Sequence, residues 1–138
     1  MHRRTVLMSA LTALAPGLAA AQSNADPQAA AIAQIKQGII SAVRYADSDL
    51  DLAERSSQFW VRIFNSPLNA RSGVEREAEA TRIVAAITDA IAGQVAYSGI
   101  LGIHLDYVSR NATGGAIQLI DAIDFRKSQA GSFVLHIS

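Results

Sequence analysis

The chain of 138 residues has no cysteine. That excludes a disulfide, a lipidated cysteine anchor and a thiol nucleophile. Lysine is nearly as scarce, Lys36 and Lys127 being the only two, and the 12 basic residues are matched by 12 acidic ones. A chain so balanced has no basic patch for nucleic acid and no charge-driven attraction to a membrane surface. Aromatic residues make up 6% of it, with a single tryptophan; Phe59 and Trp60 stand together and read as core. Gly114-Gly115 has no helix start after it, which makes it turn chemistry and not a phosphate loop. No serine lies in a nucleophile-elbow pattern. No cofactor motif is found, so no cofactor is expected and no reaction is fixed.

What is present begins with an export signal. Arg3-Arg4 precede a short apolar stretch, and Ala19-x-Ala21 supplies the small-x-small site of signal-peptide cleavage. The stretch is interrupted by Ser9, Thr12, Pro16 and Gly17 and falls short of the roughly 20 residues of a membrane span. Residues 1–21 therefore read as a signal peptide and 22–138 as one exported domain, periplasmic or secreted. The mature form starts at Gln22, carries no membrane anchor and is slightly acidic. Arg3-Arg4-Thr5 also fits the twin-arginine route beside the general secretory one. The Asn111-Ala-Thr113 sequon is too short to carry weight.

Residues 100–138 alternate in the period of strands. Leu101, Ile103, Leu105 and Tyr107 form one apolar face; Ile117, Leu119, Ile123 and Phe125 form the next, and Phe133, Leu135 and Ile137 the third. Turn residues at 111–115 and 127–131 separate them. Every apolar set is odd-numbered, so both hairpins should pair positions of even sum, through three- or five-residue loops. At about 1.5–3 kcal/mol for each buried apolar side chain, this parity should be firm.

Upstream, Asp26-Pro27 starts a helix that runs to about Tyr45 on the stripe Ile32, Ile35, Ile39, Val43. The acidic run 47–51 suggests a second helical segment reaching about Ser57, with a short strand over 58–64. Ser72-Gly-Val-Glu75 is a capping box, and the helix after it carries Ile83, Val84, Ile87 and Ile91 inward. Glu79 and Arg82 are spaced for a surface pair. The predicted class is α+β, with N-terminal helices packed on one face of a C-terminal three- to four-stranded antiparallel meander. In topology alone this order resembles the NTF2-like and cystatin-like architectures, whose curved sheets wrap a helix; no motif supports either family.

Two constellations carry chemistry. Asp121 falls on the core face, opposite or diagonal to Tyr107, and the pair could serve as a catalytic acid and phenol in a pocket between helices and sheet. The plainer reading satisfies Asp121 with an arginine such as Arg62. On the outer face, loops at Thr113–Gly115 and Gln129–Gly131 would align His104, Asp124 and His136 in one row, close enough to share a metal. The plainer reading there is a solvated His–Asp pair. The favoured function is a binding or interaction module of unknown ligand. A small cofactor-free enzyme (isomerase, lyase or hydrolase in type) is the alternative. A homodimer through the outer face, where Ile100, Val108, Ile120 and Val134 lie among polar residues, is the third reading.

Overall fold

The computed structural model describes residues 26–137. The signal peptide, its cleavage site and the arginine pair lie outside the described residues. The first helix, α1 (Pro27–Val43), starts where Asp26 accepts a hydrogen bond from the Gln28 N–H at 3.0 Å, with Pro27 in the first turn. It stops at Arg44, whose φ of 64° is left-handed. The predicted second helix is absent from the described residues. A single 3-10 turn at Asp47–Asp49 leads into strand β1 (Leu50–Arg55), which pairs antiparallel with β2 (Gln58–Phe64). The two-residue turn between them is Ser56-Ser57, both at positive φ (50° and 65°). Such a turn suits a right-twisted hairpin but is normally flagged by Asn-Gly or Asp-Gly. Serine in both places hid it.

Helix α2 (Gly73–Ile91) carries the predicted capping box: Ser72 Oγ accepts from the Glu75 N–H and the Glu75 carboxylate accepts from the Ser72 N–H. This helix is the crossover that brings β3 (Gly102–Arg110) alongside β2 in parallel. Strands β4 (Ile117–Lys127) and β5 (Phe133–His136) follow as an antiparallel meander. The result is α+β, two helices against a five-stranded mixed sheet of order β1-β2-β3-β4-β5. The expected meander of three or four antiparallel strands accounts for only part of it. The strand expected over 58–64 is β2, but the residues of β1 carry a strand where a helix is expected, and the parallel contact of β2 with β3 is new. Among the described residues no helix is long and apolar enough to cross a membrane.

Between helices and sheet, Ile35 and Ile39 of α1 and Ile83 and Ile87 of α2 meet Phe59, Val61, Ile63, Ile103, Leu105 and Phe125, all buried. The odd-numbered face is indeed the core in the middle of β3 and β4. It fails toward the hairpin tip. Tyr107 pairs with Asp121 but Val108 pairs with Leu119, leaving Ile120 as the extra residue of a β-bulge. A bulge reverses the facing of everything beyond it. Leu119 (58% exposed) and Ile117 (44%) accordingly lie outside the core, as do Leu101 and Ile137 at the strand ends. The β3–β4 loop thus runs over residues 111–116, not the three or five expected. In the second hairpin the Ser128 N–H donates to the Ser132 carbonyl at 2.7 Å, and Gly131 takes the positive φ of 90° that the turn requires.

Candidate functional site

A polar centre lies inside the core, and its key residue is Glu79. The side chain is 6% exposed and points from α2 to the sheet, with no pairing to Arg82 among the described ion pairs. Its Oε1 accepts from the Tyr107 hydroxyl of β3 and from the Tyr45 hydroxyl, both at 2.8 Å. Tyr45 in turn lies 2.5 Å from Ser66 Oγ. Since the Tyr45 proton goes to Glu79, Ser66 is the donor there, while it also accepts from the Leu68 N–H at 3.0 Å. Burial pushes both phenols well above the usual tyrosine range, and the neighbouring Glu79 carboxylate adds to it. Both therefore remain neutral donors.

Asp121 and Tyr107 are register partners, as one of the two predicted registers has it. The side chains nevertheless turn to different neighbours. Arg76, not Arg62, answers Asp121: its Nε donates to Oδ2 at 2.9 Å, while Nη1 donates to the Leu68 and Arg71 carbonyls at 2.9 and 2.7 Å. Tyr107 is held by Glu79, with a longer 3.3 Å approach to the Arg76 carbonyl. None of the five principal clefts is lined by Tyr45, Glu79 or Tyr107. The arrangement joins helix to sheet.

The outer face carries the second constellation. His104 pairs with Trp60 on one side and Asp124 on the other, and Asp124 pairs with His136, so one row crosses four strands. His104 Nδ1 lies 2.6 Å from Asp124 Oδ1, and Nε2 lies 2.8 Å from Asp106 Oδ1. The Trp60 ring, its centroid 4.3 Å away, shields the imidazole, whose side chain is 16% exposed. Burial opposes the charge on His104, but the hydrogen bond to Asp124 and the field of Asp106 outweigh it and leave the pKa raised. With a carboxylate at each nitrogen, the ring is built to be an imidazolium donating twice. Neither nitrogen turns a lone pair to a metal, and among the described residues no group of three His, Cys, Asp or Glu is placed to hold one. His136 takes no part in this clamp. Of the apolar residues assigned to the outer face, Ile100 and Val108 are buried within the chain, while Val134 is exposed.

A third feature escaped the sequence reading. At the C-terminal end of α2, an open cleft of about 430 Å³ runs between that helix and the β4–β5 hairpin. Ile91, Val95, Tyr97 and Phe133 line it, with Lys127 also at its wall. Tyr97 is packed against Phe59, ring centroids 5.5 Å apart, so the floor is continuous with the core. A size above 300 Å³ with mostly apolar walls is typical of a small-ligand site. Its walls come from two stretches about 30 residues apart, 88–98 and 127–133, and neither carries a ligand motif of its own. No family model matches the chain, and no curated protein does either.

Proposed function

We propose that this chain is a binding module whose small ligand enters the cleft beside the C-terminal end of α2. The observation that carries this reading is the cleft itself: an apolar floor of Ile91, Tyr97 and Phe133, open to solvent and continuous with the core through Tyr97 and Phe59. The enzyme reading draws less support, because Tyr107 and Asp121 are each engaged by a structural partner. The proposal includes export, so that the ligand would be met outside the cytoplasm, as the start of the sequence suggests. The test uses N-phenyl-1-naphthylamine, an uncharged probe whose fluorescence rises in apolar surroundings. Wild type should bind one equivalent, and Ala92→Trp, which fills the cleft, should remove the signal while leaving the urea midpoint in place. No fluorescence rise, or a rise that Ala92→Trp leaves intact, would overturn the reading.

A further inference from the structure

The cleft beside α2 carries one formal charge. Among the described residues Lys127 is the one charged residue that lines it; the carboxylate of Glu54 acts on Tyr97 from β1 but forms no part of the lining. Lys127 sits at the end of β4, opposite Phe133 of β5. Its ammonium makes one hydrogen bond, to the Ser98 carbonyl at 3.4 Å. That is longer than the usual range of about 2.7–3.2 Å. Among the described residues it belongs to no ion pair. A cation so weakly held at an apolar wall has its charge available to a ligand.

The end of α2 could oppose an anion, since the last carbonyls of a helix carry partial negative charge. Two of them are already occupied here. The Gln94 side-chain amide donates to the Ala90 carbonyl at 2.6 Å, and the Gln94 backbone N–H donates to the Ile91 carbonyl at 3.0 Å. The ammonium therefore sets the sign of the site.

We propose that the cleft takes a linear amphiphile with a single anionic head, its tail over Ile91, Tyr97 and Phe133 and its head at Lys127. This rests on the binding-module reading and adds the charge and shape of the ligand. Each methylene buried strengthens binding by up to about fourfold, so octanoate should bind more weakly than decanoate. The head group, at the solvent edge, adds about three- to fivefold at low salt.

The experiment displaces N-phenyl-1-naphthylamine with decanoate, decanol or decyltrimethylammonium at pH 8 and low salt, using wild type, Lys127→Gln and Lys127→Arg. Decanoate should compete best against wild type. Lys127→Gln should weaken decanoate three- to fivefold and leave decanol unchanged, and Lys127→Arg should restore the preference. Equal competition by decanol and decanoate, or a preference that survives Lys127→Gln, would overturn the anionic assignment and leave the binding reading standing. Failure of all three amphiphiles to displace a bound probe would overturn the linear amphiphile. Failure of the probe itself to bind would overturn the module reading and this proposal with it.

Discussion

His104 makes stability depend on pH in a direction the structure fixes. Its folded pKa lies above the unfolded value of about 6.5. The clamp's contribution is therefore fully present below about pH 6.5 and is lost as pH rises through the folded pKa. A hydrogen bond with a charged member contributes about 1.5–3 kcal/mol when well shielded. The bond to Asp106 approaches that, both side chains being mostly buried, 16% and 14% exposed. Asp124 is 48% exposed, so its bond should count only about 0.2–1 kcal/mol, as for surface pairs. Together they suggest about 2 kcal/mol. Urea denaturation of wild type and His104→Gln at pH 6, 7.5 and 9 measures this, since every other titrating group is common to both proteins. The difference should be near 2 kcal/mol at pH 6 and should shrink as the imidazolium deprotonates. A difference that stays flat, or grows toward pH 9, would refute the doubly donating imidazolium.

Three further substitutions probe the inner polar centre and the ion pair beside it. Glu79→Ala should cost about 2–4 kcal/mol in urea denaturation, because it strips the acceptor shared by two buried hydroxyls; a loss under about 0.5 kcal/mol would restore Glu79 to the surface. Asp121→Asn should cost about 1–2 kcal/mol, with Arg76→Gln non-additive to it in a double-mutant cycle, since the two share one charged contact; unchanged stability, with loss of a ligand signal instead, would make Asp121 a site residue.

How much of this was legible in the sequence depends on how local the signal is. The capping box Ser72–Glu75 and the start at Asp26-Pro27 are contained within four residues and came out as read. The hairpin β1–β2 did not, because Ser56-Ser57 is an uncommon pair for its turn and Asp47, Asp49 and Asp51 suggest a helix start. Glu79 was misread although a signal existed. It stands four residues before Ile83 and eight before Ile87, on the row that faces the core. A carboxylate in such a row must find donors. Tyr107 on the core face of β3 was one candidate in view, and Tyr45 just past the end of α1 was another.

The His104–Asp124–His136 alignment shows why one register can be read correctly through the wrong loops. The alignment was derived from three-residue turns. The first hairpin instead has a longer loop and a bulge at Ile120, yet His104 still faces Asp124. Two departures from the assumed path leave the middle of the ladder where burial puts it. Ile103, Leu105 and Tyr107 are each at most 1% exposed, and Ile123 and Phe125 at most 5%. A slip of one residue in either strand would turn those side chains to water, at about 1.5–3 kcal/mol each. No turn preference is that large. Toward the tip, where Ile117 and Leu119 bury little, the same constraint lapses and the bulge is tolerated. Register in this sheet is set from the buried middle outward, and the turn takes whatever length remains.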